Sequence, residues 1–295
     1  MLWAVFTLIA AAAQTARNAM QRELTATLGT VGATHVRFLF GFPFALLFLA
    51  GVLIVTGADL PHLPPAFWPW VFAGAFTQIA ATATMLSVMG QRSFVVAYAY
   101  IKTEPVHVAL LGLIFLGDKI TPIAAVAILL ATAGVIVISL KGDAGSSEGN
   151  ARSTVIGLFS GALFGLSAIG FRGAILSLNL PDFIVAATFT VTVGLVIQAT
   201  VLSVYLLMRD RKVLQAIVRA WRPSLFAGFM GAFASEFWFL AFAITSAANV
   251  RTLALVEVLF AQGVTHFVFK QPTTGRESIG IVMVVIGVGL LVWAY

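Results

Sequence analysis

The sequence predicts an all-α integral membrane protein with ten transmembrane helices, arranged as two inverted five-helix repeats around a central cavity. Hydrophobic residues make up 60% of the 295 positions, charged residues make up 9%, and the mean hydropathy is +1.03. Apolar windows of roughly 20 residues, the length that crosses a bilayer as a helix, fill the chain. Landmark residues of the first half also recur in the second half, in the same order.

Helical spans follow from the continuity of the apolar windows. Unpaired backbone amides are costly in hydrocarbon, so spanning segments must be helices or a closed barrel. The continuous apolar runs lack the two-residue alternation of barrel strands. Polar residues Gln14, Thr15, Arg17 and Asn18 occupy the second half of the first span, where a signal peptide has an unbroken apolar core. We therefore expect the first helix to be retained.

Short polar breaks, often marked by Pro or Gly, separate the predicted spans. The spans cover residues 2–20, 34–56, 66–89, 94–116, 121–140, 154–178, 182–207, 224–246, 249–269 and 278–295. The polar stretch at 141–153 contains a run rich in Gly and Ser that is too polar to span and too short to fold. The sequence thus predicts a first repeat at 1–140, a linker at 141–153 and a second repeat at 154–295.

Four pairs of landmarks, separated by a nearly constant offset, predict the internal repeat. They are Phe72-Ala73-Gly74 with Phe226-Ala227-Gly228, Glu104 with Glu257, Gly134 with Gly287, and Arg17 with Arg172. Because five is an odd number, two tandem five-helix units lie in the membrane with opposite orientations.

Basic residues in alternate loops predict how the chain is oriented. One set of loops contains Arg22, Arg92, Lys141, Arg152, Arg209, Arg211, Lys212, Arg219, Arg222, Lys270 and Arg276. The opposite set contains little beyond Lys119, so the positive-inside rule places the first set in the cytoplasm and both termini outside. Most of these residues occur singly at helix ends, so the formal charge of +6 indicates topology rather than nucleic-acid binding.

Ionisable residues within the predicted spans are the candidates for function. A charged side chain at the centre of a membrane helix costs roughly 2.5–3.5 kcal/mol or more, so it needs a partner or an aqueous cavity. These residues fall in the first, fourth, sixth, eighth and ninth spans, which we expect to surround the cavity. They are Arg17, Lys102, Glu104, His107, Arg172, Glu236, Arg251, Glu257 and His266.

Two roles are open for the acidic residues of the fourth and ninth spans. Glu104 and His107 share a helix face, a spacing that suits a proton relay, and Glu257 is its counterpart in the second half. Glu104 could equally form a structural ion pair with Lys102 or with an arginine of another helix. We therefore assign Glu104, His107 and Glu257 to proton coupling or to structural ion pairs.

The predicted substrate site combines charged, polar and aromatic residues. An aromatic face beside a carboxylate suits an ammonium group, although a membrane tryptophan commonly faces lipid or packs. Arg17 and Arg172 could bind a carboxylate, but we favour their extension to the membrane interface. The predicted substrate-binding residues are Gln14, Thr15, Asn18, Gln78, Thr82, Tyr98, Lys102, Glu236, Trp238, Asn249 and Arg251.

Catalytic and cofactor motifs are missing from the sequence. It contains no phosphate-binding loop, no H-E-x-x-H, no G-x-S-x-G and no cysteine. We expect neither enzymatic activity nor a cofactor or metal.

Two segments resemble a known family. Lys102-Thr103-Glu104-Pro105, followed by Leu116-Gly117-Asp118, resembles the fourth helix and the next loop of the EamA family in the drug/metabolite transporter superfamily. Asp118 replaces the usual Glu of that loop, and the run from Lys270 to Glu277 departs from the corresponding Gly-Glu signature. The resemblance implies a ten-helix basket whose fifth and tenth helices are peripheral. It also implies a multi-pass protein of the bacterial inner membrane. Many relatives have cytoplasmic termini, which conflicts with the loop charges.

The family includes exporters of amino acids, among them an aromatic amino acid exporter group. Together with the mixed charges of the spans, this predicts a secondary transporter that exports amino acids or related zwitterionic metabolites by alternating access. One alternative is proton-coupled efflux of cationic drugs or organic amines, and another is a membrane-embedded enzyme or non-transporting interaction protein. The expected partners are a small-molecule substrate and the lipid bilayer, without nucleic acid, and a monomer is compatible with the sequence.

Overall fold

The computed structural model describes residues 1–91, 101–139, 147–260 and 274–294, and the regular structure within these ranges is helical. The elements are α1 (Leu2–Leu39), α2 (Phe42–Thr56), α3 (Phe67–Gln91), α4 (Glu104–Phe115), α5 (Pro122–Ser139), α6 (Ser147–Ser177), α7 (Phe183–Arg209), α8 (Arg211–Arg219), α9 (Trp221–Ile244), α10 (Ala247–Leu253), a 3₁₀ turn (Ala254–Val256) and α11 (Gly275–Trp293).

Six segments of the described chain are long and apolar enough to cross a membrane. They are Leu2–Thr56, Phe67–Val88, Thr154–Ser177, Phe183–Arg209, Trp221–Ile244 and Gly275–Trp293. Two shorter apolar helices, Glu104–Phe115 and Pro122–Ile138, correspond to the predicted fourth and fifth spans. The prediction of an all-helical, multi-pass membrane protein is confirmed, while the count of ten spans stays a prediction.

The first apolar segment reverses direction at Gly29. This residue has φ 67° and ψ 174° inside α1, a conformation that favours glycine. Gln21 Nε2 donates a hydrogen bond of 2.9 Å to the carbonyl oxygen of Ala33, although residues twelve apart in a straight helix are separated by about 18 Å. The two limbs of α1 therefore lie side by side, and the second limb leads into α2.

Two segments predicted as loop or linker are helical. α6 begins at Ser147, inside the predicted linker, although its membrane-spanning part begins at Thr154. The basic segment after α7 forms α8, whose N-terminus is capped by the side chain of Asp210. Within α8, Ile217 is buried while the basic residues are exposed. Such an amphipathic helix suits the membrane interface.

The two halves pack against each other reciprocally. α3 packs against α6 and α1 packs against α9, while α2 contacts α7, α4 contacts α10 and α5 contacts α11. Glycines permit the closest approaches: a Cβ on Gly170 would lie 2.6 Å from the backbone nitrogen of Gly74, and one on Gly228 would lie 2.4 Å from Phe40 Cβ. Both Phe-Ala-Gly segments therefore lie at contacts between the N-terminal and C-terminal parts of the chain, and the internal repeat stays a prediction.

Candidate functional site

Two crossed ion pairs join the halves at the centre of the bundle. Lys102 Nζ lies 2.8 Å from Glu257 Oε2, and Arg251 Nε lies 3.0 Å from Glu104 Oε1. The geometry of the Arg251–Glu104 pair does not meet that of a hydrogen bond. All four side chains are buried. Each half thus contributes one cation and one carboxylate, and each charge faces its opposite from the other half.

The paired residues lie at interruptions of their helices. Lys102 precedes α4, which begins at Glu104 with Pro105 in its first turn, where a proline needs no hydrogen bond. In the second half, α10 ends at Leu253 and the 3₁₀ turn leads to Glu257. Interrupted helices at membrane depth are typical of substrate and ion sites in transporters. Of the two roles considered for Glu104 and Glu257, the geometry supports ion pairing, and a relay stays a prediction.

Gln14 and Trp238 extend this network. Gln14 Nε2 donates to Glu257 Oε1 at 3.3 Å and Gln14 Oε1 accepts from Trp238 Nε1 at 3.1 Å. Arg251 Cζ lies 4.4 Å from the centroid of the Trp238 ring and 5.2 Å from that of Phe242. Trp238 is buried, forms a cation–π contact with Arg251, and therefore does not face lipid.

Two further arginines lie beside the ion pairs. Arg17 is 1% exposed and donates through Nη2 to Asn18 Oδ1 at 2.7 Å. The favoured prediction that Arg17 reaches the membrane interface is therefore wrong, because its helix holds it in the bundle centre. Arg37 is 2% exposed and lies beside Arg17, since a Cβ on Gly231 would contact Arg37 Cγ at 3.1 Å and Arg17 Cδ at 3.4 Å.

Arg37 was not among the functional residues predicted from the sequence. The predicted span began at residue 34, which placed Arg37 near the interface, where arginine is common. The structure begins this helical limb after Gly29 and buries Thr34, His35 and Arg37. Three polar residues close together near the start of an apolar span are the signal that could have identified a buried polar segment.

A small cavity of about 20 Å³ lies among these charges. Its polar lining comprises Gln14, Arg17, Asn18, Lys102, Glu104 and Arg251. This volume holds about one water molecule. The structure thus brings many of the predicted site residues together in a closed arrangement.

Other predicted site residues serve neighbouring contacts. Gln78 Oε1 accepts a 2.9 Å hydrogen bond from Gln198 on α7, and Thr15 Oγ1 donates to the Ala11 carbonyl oxygen of its own helix. Thr82 Oγ1 donates to the Gln78 carbonyl oxygen and accepts from Arg37 Nη1 at 3.4 Å. His107 Nδ1 lies 3.1 Å from the Thr103 carbonyl oxygen.

Asn249 lines a separate cavity of about 180 Å³ together with Lys119. The side-chain Nδ2 of Asn249 donates a hydrogen bond of 3.2 Å to Thr245 Oγ1. The predicted residue Tyr98 lies outside the described residues, as does His266. Among the described residues, no three His, Asp or Glu side chains are grouped to hold a metal ion.

Glu236 lies on another face of α9. Residues two apart in a helix point about 200° apart, so Glu236 and Trp238 face different neighbours. Glu236 Oε1 accepts a 2.5 Å hydrogen bond from Thr188 on α7, whereas Oε2 has no hydrogen-bond partner among the described residues. Glu236 is one of the residues that line a largely apolar cavity of about 460 Å³ between α2, α7 and α9. It is therefore separate from the crossed ion pairs.

Arg172 also lies apart from the crossed ion pairs. Its Nη1 is 2.7 Å from Asp118 Oδ1, and its Nε donates to the Thr245 carbonyl oxygen at 3.0 Å. Asp118 thus ties α6, through Arg172, to the segment that follows α4.

Residues 1–140 match the EamA-like transporter family, in agreement with the resemblance found in the first half. No curated protein sequence matches the chain significantly. Twenty-seven chains of solved structures do match. One, titled only "Crystal structure of protein", superposes with a TM-score of 0.71 at 12% identity, over 99% of this chain and 95% of that chain. This likeness shows a shared fold along nearly the whole chain.

Proposed function

We propose that the whole chain is a secondary active transporter of the EamA-like kind that exports amino acids or related small metabolites by alternating access. The family match over residues 1–140 supports transport, and the reciprocal packing supports extending it to the second half. The observation that carries the proposal is the pair of crossed ion pairs, Lys102–Glu257 and Glu104–Arg251, at interrupted helices between the halves.

Opposite orientation of the halves belongs to the same proposal. The turn at Gly29 in the first half lies near α8, because Gly32 and Val213 are in contact. The first helix of the second half ends beyond Arg172, which contacts Asp118 and Thr245 near the ends of other helices. The end of the first helix in one half and the end of the corresponding helix in the other half thus contact different parts of the protein. Opposite orientations of the two halves in the membrane require such a difference.

The crossed ion pairs suit a substrate that carries both a carboxylate and an ammonium group. If the halves separate, both ion pairs open and each of the four charged groups loses the opposite charge that faces it, which is costly in a membrane interior. An amino acid replaces the lost partners: its carboxylate binds Arg251 or Lys102, and its ammonium group binds Glu104 or Glu257. The cavity holds only about one water molecule, so substrate entry requires this movement.

The experiment is counterflow of labelled amino acids in proteoliposomes that contain the purified protein. We expect exchange of at least one amino acid, and we expect Lys102→Gln and Arg251→Gln each to reduce it at least tenfold, the effect of roughly 1.4 kcal/mol. Arg211→Gln is the control, because Arg211 is exposed on α8. The absence of exchange across a complete panel of amino acids and carboxylate metabolites contradicts the proposal. Flux of chemically unchanged solute excludes a membrane-embedded enzyme or a non-transporting interaction protein.

Proton-coupled efflux of cationic drugs or organic amines is a second candidate. Glu236 favours it, because this buried residue lines an apolar cavity that suits the body of a lipophilic amine, and its Oε2 has no hydrogen-bond partner among the described residues. Glu104 and Glu257 suit this role less well, because cations already face them. Efflux of a lipophilic amine that is lost in Glu236→Gln and retained in Arg251→Gln would favour this candidate.

A further inference from the structure

The amphipathic helix α8 packs beside the turn region of α1, and a cavity opens between them. A Cβ on Gly32 would lie 2.9 Å from Val213 Cγ1, so the two elements are in contact. The cavity has a volume of about 470 Å³, which lies in the range of ligand sites. Its lining is apolar apart from one threonine and two charged residues, and it includes Met20, Leu24, Leu28, Ala216, Glu23 and Arg219.

The segment that carries α8 is strongly basic. Residues 209–222 contain five basic side chains, Arg209, Arg211, Lys212, Arg219 and Arg222, which are all exposed. Asp210 is the one acidic residue of this segment, and it caps α8 by accepting from the Lys212 backbone nitrogen. Five cations and one carboxylate leave a net charge of +4. On the α1 side, Glu23 follows Arg22 directly, so these two residues add no net charge. The rim of the cavity is therefore positive.

The position of α8 places this positive rim at the membrane surface. α8 connects α7 with α9, and both of these helices are long and apolar enough to cross the membrane. Trp221, at the start of α9, is 49% exposed, and Arg222 Cζ lies 5.4 Å from the centroid of its ring. A half-exposed tryptophan beside a basic residue is typical of the level of the lipid headgroups. An occupant of the cavity must therefore be apolar at one end and anionic at the other.

We propose that this cavity is a binding site for an anionic phospholipid, whose phosphate group binds Arg219 and one of whose acyl chains packs against Met20, Leu24 and Leu28. Arg219 fits this role because it lines the cavity and is exposed. The lining comes from α1 in the N-terminal part of the chain and from α8 and α9 in the C-terminal part. A bound lipid thus joins the two parts and stabilises their packing, whatever solute the protein carries.

The wild-type protein tests the class of ligand. The purified protein in non-ionic detergent is mixed with phosphatidylglycerol, with phosphatidylcholine of the same acyl chains, or with inorganic phosphate alone. We expect native mass spectrometry to show one retained phosphatidylglycerol molecule. We also expect phosphatidylglycerol to raise the melting temperature more than phosphatidylcholine does, while phosphate alone leaves it unchanged.

Three results overturn the lipid site. Equal retention and equal stabilisation by the two lipids show that the charge of the headgroup is not recognised. A rise with inorganic phosphate as large as that with phosphatidylglycerol shows that the acyl chain is not bound. A dimer in the lipid-free spectrum that phosphatidylglycerol does not dissociate assigns the cavity to a second copy of the chain.

Arg219→Gln tests the residue that binds the phosphate. We expect it to weaken phosphatidylglycerol binding about fivefold, the effect of about 1 kcal/mol for one basic residue at an anionic surface, while phosphatidylcholine binding is unchanged. Arg211→Gln is the matched control, because it removes the same charge from α8. Arg211 does not belong to the cavity lining, and its Nε donates to the Leu207 carbonyl oxygen at 3.0 Å. Equal weakening in the two variants assigns the attraction to the whole basic segment and overturns the site at Arg219.

Ala216→Phe tests the cavity without changing any charge. The ring would occupy the space between α8 and Leu24 or Leu28, so we expect phosphatidylglycerol to be retained less than in the wild type. Unchanged retention overturns the cavity as the site of the acyl chain. If this variant does not fold, the comparison of Arg219→Gln with Arg211→Gln decides between a defined site and a general attraction.

Discussion

Lys102 and Glu257 are 155 positions apart in the chain, yet their charged atoms lie 2.8 Å apart in the bundle centre. The two residues belong to different halves, and each lies next to an interruption of its helix. Because this ion pair joins the two halves, the halves cannot move apart at this point without breaking it.

We expect the two residues to be energetically coupled. Lys102→Gln alone leaves Glu257 buried without its cation, which should destabilise the protein by about 3–5 kcal/mol. The double variant Lys102→Gln/Glu257→Gln should be more stable than the sum of the single effects predicts, with a coupling energy of about 0.5–3 kcal/mol. Unfolding in detergent measures all four proteins, and strict additivity contradicts the coupling.

The Arg172–Asp118 pair should act on stability and not on substrate selection. It lies outside the central cavity and ties α6 to the segment after α4. Arg172→Gln should therefore lower the free energy of unfolding by about 1–3 kcal/mol, because Asp118 loses a charged partner. The ratio of exchange rates between two substrates should stay unchanged in proteoliposomes. A change in that ratio would place Arg172 in the transport pathway.

Sequence patterns located the apolar helices and the charged residues of the crossed ion pairs, because both carry strong signals. Apolar length predicts a membrane helix, and ionic residues within such a helix are rare, so Lys102, Glu104, Arg251 and Glu257 stood out. The sequence did not predict which cation pairs with which carboxylate, because pairing within a half and pairing between the halves both leave every charge facing an opposite charge.

Helix faces and helix ends were harder to predict. Glu236 and Trp238 are near neighbours in sequence, but Glu236 lines the apolar cavity whereas Trp238 donates to Gln14. This difference depends on how α9 is rotated in the bundle. Arg37 was missed because hydropathy does not identify a reversal as tight as the one at Gly29. Gln78 was predicted to bind substrate because it is polar, and in the structure it accepts a hydrogen bond from Gln198 on a neighbouring helix.

Gly228 should tolerate no side chain, because α9 approaches the end of α1 there. A Cβ on Gly228 would lie 2.4 Å from Phe40 Cβ and 2.6 Å from the Phe40 carbonyl carbon. We expect Gly228→Ala to destabilise the protein by about 1–3 kcal/mol through overpacking. Gly289→Ala is the control, since a Cβ there meets nothing within 4 Å, and alanine favours a helix over glycine. Equal melting temperatures for the two variants would contradict this account of the packing.

The loop charges predict both termini outside the cell, and the cysteine-free chain allows a direct test. Single cysteines introduced at Asp59 and at Arg211 are predicted to lie on opposite sides, because Arg211 belongs to the basic loops and Asp59 lies in an intervening loop. A membrane-impermeant maleimide added to intact cells should label Asp59→Cys, and it should label Arg211→Cys only after the membrane is opened. The structure is consistent with grouping the basic loops, because the turn region around Leu28 and Arg219 of α8 line one shared cavity. The reverse labelling pattern would place both termini in the cytoplasm, as in many relatives, and would show that the basic residues near α8 face outward.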